Sequence, residues 1–204
     1  MSLIKKINNL KKEPIKKTID ERIHSFSKIK NSTNNQLFKE LSFCVLTANY
    51  NAKKAIEIQK KINNGFITFS ESKLKKELAS AGYRYPNKRA EYIIYNRSFL
   101  KDLTKIINLE DRRDVLVKKI KGFGYKEASH FLRNIGFNNY AIIDFHIIDV
   151  LIKNKYLKEK PRVLTKKKYF EIENILLKIS KKVKLSQGEL DFYLWYLETG
   201  AVLK

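Results

Sequence analysis

Residues 120–129 read IKGFGYKEAS and lie between two segments whose apolar residues recur at helical spacing. Gly122 and Gly124, separated by one residue, predict a tight turn in which backbone can approach a ligand closely. The turn ends near the N-terminus of the second helix, where free amide groups and the positive end of the helix dipole favour phosphate. The small side chain of Ala128 lets the two helices pack together. The segment therefore predicts a helical hairpin with an anion-binding turn.

The second helix of this hairpin directs a lysine away from its own core. Its apolar stripe has the spacing i, i+3, i+4 and i+7 and consists of Ala128, Phe131, Leu132 and Ile135. At 100° per residue, Lys126 is displaced by about 160° from Ala128, so its amine faces whatever occupies the neighbouring cleft. One helix and a short loop later, Asp144 follows the apolar run AII at a position suited to an N-cap. This separation can bring the lysine and the carboxylate together.

The rest of the chain also has the pattern of an all-α protein. Pro14 suits the first turn of a helix that runs to about Lys28, and Thr33 and Gln36 have capping-box spacing before the next helix. Ser186 and Glu189 form a second capping box before a C-terminal helix. Further helices are predicted near residues 51–62, 71–80, 88–101, 111–120, 125–135, 145–154, 166–182 and 187–199.

The composition indicates a polyanionic partner. The 204 residues carry 43 Lys and Arg against 21 Asp and Glu, a formal net charge of +22, and 43% of residues are hydrophobic. Such a charge favours nucleic acid, although a lysine-rich surface can also reflect genome composition or heat adaptation. Cys44 is the single cysteine, which excludes an internal disulfide and a four-thiolate metal site from this chain alone. No segment has the roughly 20 apolar residues of a membrane span, and the N-terminus lacks a signal-peptide pattern.

The hairpin and the segment IIDFHI at 142–147 resemble the helix-hairpin-helix, Gly and Pro/Asp superfamily of DNA glycosylases, in which L-P-G-[VI]-G-x-K-x-A precedes V-D-x-H. More narrowly, the chain is similar to the archaeal-type, second class of 8-oxoguanine DNA glycosylases. That class lacks an iron–sulfur cluster and ends near a lysine soon after a WYLxTG run, matched here by residues 195–200 and Lys204. The resemblance spans about residues 36–204. Lys121 replaces a proline that is frequent in the superfamily.

The resemblance implies an all-α fold with two small helical lobes that flank a DNA-binding cleft. We expect one compact unit over residues 1–204. Within it, the helix-hairpin-helix lies at about 113–136, the aspartate element at about 141–150 and the base-recognition helix at about 186–204. The resemblance also implies that Trp195 stacks on the damaged base and that Lys204 helps to recognise this base. Asp191, at i−4 from Trp195, is a hydrogen-bond acceptor suited to a purine N–H.

Lys126 and Asp144 are the candidate catalytic pair. Displacement of a base from C1′ builds positive charge on the sugar, which a carboxylate such as Asp144 stabilises. A neutral amine at Lys126 can then hold C1′ as a Schiff base, after which β-elimination breaks the strand 3′ to the lesion. An ionised carboxylate in direct contact would hold the amine in its charged form. The pair therefore needs burial, a proton relay, or capping contacts that keep Asp144 slightly away from Lys126.

Other segments suit DNA binding and the vacated base position. Residues 47–50, TANY, resemble the S/T-A-Q/N segment of the superfamily, and Asn49 is the candidate to enter the space left by the flipped base. Tyr83 or Tyr85 is the candidate wedge, and Arg84 the candidate reader of the opposite base. We expect Gly122, Gly124, Lys121 and His146 to contact the DNA backbone.

The sequence predicts a bifunctional base-excision repair enzyme that acts on 8-oxoguanine in damaged double-stranded DNA. We expect a monomer in the prokaryotic cytoplasm, associated with the nucleoid, with no membrane contact. No metal site and no required cofactor are expected, although hairpin carbonyls could hold a cation. Two alternatives stay open: a pyrimidine-lesion glycosylase of the same superfamily, and a helix-hairpin-helix DNA-binding protein without enzymatic activity.

Overall fold

The computed structural model describes residues 1–204 and is entirely helical, which confirms the predicted all-α class. Thirteen α-helices are joined by loops of varied length and by one 3₁₀ helix, Arg97–Asp102. The α-helices are α1 Leu3–Leu10, α2 Ile15–Ser27, α3 Asn34–Thr47, α4 Ala52–Ile62, α5 Gly65–Thr68, α6 Glu71–Ser80, α7 Pro86–Asn96, α8 Leu103–Ile107, α9 Arg112–Lys119, α10 Tyr125–Asn134, α11 Phe145–Lys153, α12 Lys166–Val183 and α13 Gln187–Thr199. None of these helices is long and apolar enough to cross a membrane.

Local sequence signals set most helix starts. The side chain of Thr33 accepts a hydrogen bond from the backbone N–H of Gln36, and Ser186 and Glu189 cap each other reciprocally at the start of α13. The predicted helix over 88–101 is instead α7 followed by the 3₁₀ helix. Helix α1 was not predicted, because its lysines obscure the buried stripe on its inner face.

Two hydrophobic cores confirm the predicted pair of helical lobes. The first lobe contains α3 to α10 and buries residues such as Leu41 and Phe131. The second lobe contains α1, α2 and α11 to α13 and buries residues such as Ile147 and Tyr193. Helix α10 packs on α3 of the first lobe and on α2 of the second. The second helix of the hairpin therefore stands between the two lobes.

A buried ion pair fixes the segment that leads to Asp144. The guanidinium of Arg113 in α9 donates to both carboxylate oxygens of Glu173 in α12, at 2.6 and 2.8 Å. Glu173 also accepts a hydrogen bond from the backbone N–H of Ala141 at 3.0 Å, and the hydroxyl of Tyr169 donates to the carbonyl of Ala141 at 2.7 Å. These contacts hold the extended backbone before α11 in one position relative to the hairpin.

Candidate active site

A cavity of about 710 Å³ lies between the two lobes. Lys126 and His130 of α10 form part of its wall, with Asp144 at the start of α11. Asp191 and Trp195 of α13 also line it. The volume lies within the range of small-molecule sites. Five side chains from three separate helices thus converge on one chamber large enough for a nucleotide.

Lys126 is the second residue of α10, which begins directly after the glycine turn. Its side chain is 22% exposed, and its ammonium forms an ion pair with Glu127 at 3.7 Å. Glu127 also accepts a hydrogen bond from the backbone N–H of Gly124 at 3.2 Å, so this carboxylate is partly occupied by the helix start. The amine is therefore at the cavity wall and partly withdrawn from solvent.

Asp144 is the N-cap of α11, as its position in the sequence predicts. Its Oδ1 accepts a hydrogen bond from the backbone N–H of Ile147 at 3.0 Å. No ion pair joins Asp144 to Lys126 within 4.0 Å. The cap therefore turns one carboxylate oxygen towards the backbone of α11, and Asp144 lines the cavity without an ion pair to Lys126.

His130 and Arg133 are two cavity residues that the sequence motifs did not indicate. They follow Lys126 at i+4 and i+7, so the three side chains share one face of α10. Burial and the nearby cations Arg133, Lys126 and Lys204 hold the pKa of His130 well below its usual value, so the imidazole is neutral. Neither ring nitrogen of His130 has a hydrogen-bond partner of good geometry. The sequence shows the spacing of these residues, but the burial of His130 and Arg133 depends on the second lobe.

Arg133 and Asp191 form a buried ion pair beneath the cavity. Nη1 of Arg133 lies 3.3 Å from Oδ2 of Asp191, and the guanidinium lies over the rings of Phe26 and Phe192. Burial raises the pKa of Asp191 to about 7, with a further contribution from Asp144 and an opposing one from Arg133. Asp191 therefore lies at the cavity as predicted, but one of its oxygens already serves Arg133.

The raised pKa of Asp191 predicts a pH-dependent stability. The folded protein binds this proton more tightly than the unfolded chain, whose carboxyl has its ordinary pKa near 3.8. The stabilising contribution is therefore present below about pH 4 and is lost as pH rises towards 7. We expect wild type to lose stability relative to Asp191→Asn between pH 4.5 and 7.5, as measured by urea unfolding. The exposed Asp20→Asn is the control, and a pH-independent difference between wild type and Asp191→Asn would contradict this account.

Trp195 faces the cavity from α13 and packs against His146. The ring centroids lie 4.7 Å apart in an edge-on arrangement at 72°. The indole N–H of Trp195 is buried without a hydrogen-bond partner. His146 is exposed and lines the cavity, and its expected contact with the DNA backbone stays a prediction.

The main chain of Lys204, rather than its ammonium, lies at the cavity. Its ammonium donates to Glu40 and, at 2.8 Å, to Oε1 of Gln59, and it lies over the ring of Phe43. The ammonium is therefore held in the first lobe, while the backbone of Lys204 lies beside His130. Any contact of Lys204 with a base would use its main-chain end.

The glycine turn has the tight geometry that its sequence predicts. Gly122 has a φ of +88°, and a Cβ there would lie 2.9 Å from the ring of Tyr92. The buried side chain of Asn96 accepts from the backbone N–H of Lys121 at 2.9 Å and donates to its carbonyl at 3.0 Å. The carbonyl of Lys121 is thus already hydrogen-bonded, as are those of Ile120 and Gly124, which accept from the backbone N–H groups of Phe123 and Ala128. A cation at hairpin carbonyls stays a prediction. The Nζ of Lys121 lies 3.9 Å from the ring centroid of Tyr95.

A Cβ at Gly122 should damage the hairpin more than a Cβ at another left-handed glycine. Gly82 also has a positive φ, +68°, but no atom lies within 4 Å of its Cβ position. Gly82→Ala should therefore cost only the backbone strain of about 1–2 kcal/mol. We expect Gly122→Ala to lower the free energy of unfolding by more than this, and to weaken binding to undamaged duplex DNA. Equal stability losses in urea unfolding would show that the close approach of Tyr92 is unimportant.

The structure distinguishes the two candidate wedge residues. Tyr83 is 4% exposed and its hydroxyl donates to the carbonyl of Leu46 at 2.7 Å, so it is part of the first core. Tyr85 is 42% exposed, with the guanidinium of Arg84 5.1 Å from its ring centroid. Burial of Tyr83 favours Tyr85 as the wedge.

The segments that carry Asn49 and Tyr85 are neighbours. Asn49 lines the cavity in the left-handed conformation, with φ of +56°, directly after α3. The rings of Tyr50 and Tyr83 pack at a tilt of 50° with their centroids 4.3 Å apart, which joins the loop of Asn49 to the loop of Tyr85. Arg84 and Tyr85 do not line the cavity, and their contacts with the duplex stay predictions.

These features define a helix-hairpin-helix protein with a lysine and a carboxylate at an interlobe cavity. Residues 19–185 match the family model described as 8-oxoguanine DNA glycosylase, and the chain belongs to this family. It is 51% identical to the 8-oxoguanine DNA glycosylase/AP lyase of Methanocaldococcus jannaschii over the full length of both chains. It is 46% identical to that of Korarchaeum cryptofilum, with 99% of this chain and 98% of the relative covered.

Solved structures agree with this assignment. The M. jannaschii 8-oxoguanine glycosylase/lyase in complex with a 15mer DNA containing 8-oxoguanine is similar with a TM-score of 0.98 and 49% identity, and both chains are covered completely. The 8-oxoguanine DNA glycosylase of Thermotoga maritima has a TM-score of 0.95 and 40% identity, covering 99% of this chain and 98% of the other. The helix-hairpin-helix glycosylase fold is thereby confirmed.

Proposed function

We propose that this protein excises 8-oxoguanine from duplex DNA and then cleaves the strand at the abasic site. The observation that carries the proposal is the convergence of Lys126 and Asp144 on one interlobe cavity that Trp195 also lines. The archaeal relatives, which are 8-oxoguanine DNA glycosylase/AP lyases, support the substrate and both activities. Neither of these relatives favours the pyrimidine-lesion or the non-enzymatic alternative.

The proposed chemistry follows from the positions of the two groups. As the bond from C1′ to the base breaks, the Asp144 carboxylate stabilises the positive charge that develops on the sugar. The neutral amine of Lys126 bonds to C1′, and the base departs with the bonding electron pair and takes up one of the amine's protons. Opening of the sugar ring then gives a Schiff base, and the second proton passes to O4′. Loss of a C2′ proton then expels the 3′ phosphate by β-elimination. Hydrolysis of the remaining imine returns the free lysine.

We also propose a DNA partner and a location in the cell. Damaged double-stranded DNA matches the net charge of +22 and the phosphate-binding geometry of the hairpin turn. The complex of the M. jannaschii relative with DNA containing 8-oxoguanine supports this partner. We propose that the protein acts as a monomer on nucleoid DNA in the cytoplasm, without a required cofactor.

Borohydride trapping tests the proposed function. The wild-type protein is incubated with duplexes that contain 8-oxoguanine, an oxidised pyrimidine or no lesion, and the reductant converts any Schiff base into a stable adduct. We expect an adduct and a cleaved strand with 8-oxoguanine, and neither with undamaged DNA. An adduct with the oxidised pyrimidine alone would show that the protein is a pyrimidine-lesion glycosylase. No adduct on any duplex would refute the lyase activity.

Loss of the Tyr85 ring should weaken recognition of damaged DNA. Aromatic stacking on a base is worth about 1–3 kcal/mol, so Tyr85→Ala should weaken binding to a duplex with a stable abasic-site analogue by about fivefold or more. Tyr83→Phe is the matched control, because it removes only the hydrogen bond to Leu46. A larger loss of affinity in Tyr83→Phe than in Tyr85→Ala would show that Tyr85 is not the wedge.

A further inference from the structure

Two large apolar side chains are exposed at the mouth of the cavity. Phe145, directly after Asp144, is 62% exposed and lines the cavity, and Val163 is 71% exposed between the lining residues Arg162 and Leu164. Neither side chain belongs to either hydrophobic core. Single exposed apolar residues are common, and these two are notable for their place at the rim of the candidate active-site cavity. The proposed excision and strand cleavage use neither residue.

The loop that carries Val163 is basic and has no regular secondary structure. It spans residues 154–165, joins α11 to α12, and contains Lys155, Lys158, Lys160 and Arg162 against the one acidic residue Glu159. This loop is longer than most connections between helices in compact proteins, and surface loops often carry binding residues. The Nζ of Lys160 lies 5.1 Å from the ring centroid of Phe145, so loop and aromatic form one continuous rim. We call Phe145 and residues 154–165 the apolar–basic rim.

The mixture of charge and aromatic surface selects the kind of partner. Grooves that bind opened nucleic-acid strands combine cations along the phosphates with aromatic rings under the bases. A surface that binds another protein is usually depleted of charged residues at its centre. The rim is rich in them. Phe145 directly follows Asp144 and lines the same cavity, so its exposed ring lies beside a sugar held at Asp144.

We propose that the apolar–basic rim binds the damaged strand next to the flipped nucleotide, with Phe145 stacked on the neighbouring base and Arg162 paired with a phosphate. This inference rests on the proposed function, since it assigns a further DNA subsite to the same cavity. The rim holds the strand open on the side of α11, whereas Tyr85 lies on the first lobe. The flipped nucleotide is thus contacted from both lobes.

The test measures binding and base stacking separately from chemistry. In a Lys126→Gln background, which holds DNA without turnover, 2-aminopurine is placed beside 8-oxoguanine on either side, and its fluorescence reports stacking. We expect Phe145→Ala to weaken binding to this duplex by about fivefold to 100-fold and to change the fluorescence on one side only, whereas Phe145→Trp retains affinity. Leu109→Ala, which removes another exposed apolar side chain away from the cavity, is the control and should bind as the parent does.

The charged part of the rim has its own readout. Arg162→Gln should reduce the slope of log affinity against log salt concentration by about one, because one phosphate contact is lost. The proposal is overturned if Phe145→Ala binds the lesion duplex within twofold of its parent with unchanged fluorescence, or if Leu109→Ala loses as much affinity. Trapping by wild-type protein is independent of both measurements, so a failure of the rim is distinguishable from a failure of the glycosylase and lyase activities.

Discussion

Lys126→Gln should abolish strand cleavage and borohydride trapping while DNA binding stays within about threefold of wild type. The amide of glutamine cannot form a Schiff base, and removal of a catalytic nucleophile typically costs about 10⁴-fold or more in rate. Binding should persist because the hairpin turn and the cation-rich surface are unchanged. Single-turnover cleavage of an 8-oxoguanine duplex, together with a filter-binding assay, checks both parts of this expectation.

Lys121→Gln is the matched control for this substitution. Lys121 lies in the same hairpin but is exposed, with its ammonium over the ring of Tyr95 rather than at the cavity. The variant should still form the adduct and should lose only affinity at raised salt concentration. Adduct formation at the wild-type rate by Lys126→Gln would show that another amine is the nucleophile.

Asp144→Asn should slow base excision by about 10²- to 10³-fold, the usual scale for removal of one group that stabilises charge in a transition state. Asparagine caps a helix about as well as aspartate, so α11 should start unchanged and stability should hardly fall. Asp144→Ala removes the cap as well and should cost about 1 kcal/mol of stability in addition. Single-turnover release of 8-oxoguanine and urea unfolding separate these two effects.

The reaction on a ready-made abasic site provides the control for Asp144. No base leaves in that reaction, so strand cleavage by Asp144→Asn should be slowed less than base excision is. An equal loss in both reactions would indicate that Asp144 mainly positions Lys126. Excision at the wild-type rate would remove Asp144 from the proposed mechanism.

Local signals made the helices and the hairpin predictable. Capping residues such as Thr33 and Ser186 act on amides three residues away, and the glycine turn is defined by two residues of the same segment. Helix α1 buries Leu3, Ile7 and Leu10 at i, i+4 and i+7, but the sequence pattern does not predict it. Its burial is decided by packing on α12 and α13, distant in the sequence, rather than by its own composition.

The surroundings of the candidate site depend on contacts that the sequence does not reveal. Lys204 reaches Glu40 across nearly the whole chain, and Arg133 meets Asp191 from a different lobe. A cation on a helix face is ordinarily solvated, so nothing in the pattern of α10 indicated that Arg133 would be buried. Motifs in the sequence therefore identify the candidate side chains of the site. Their ion pairs and pKa shifts follow only from the packing of the two lobes.

Identification of the residue that carries the trapped DNA tests the central claim most directly. After reduction with borohydride, the wild-type adduct with an 8-oxoguanine duplex is digested with nuclease and protease, and the modified peptide is sequenced by mass spectrometry. The mechanism predicts a sugar remnant on Nζ of Lys126 alone. A remnant on Lys121, on Lys204 or on the N-terminal amine, with Lys126 unmodified, would contradict it.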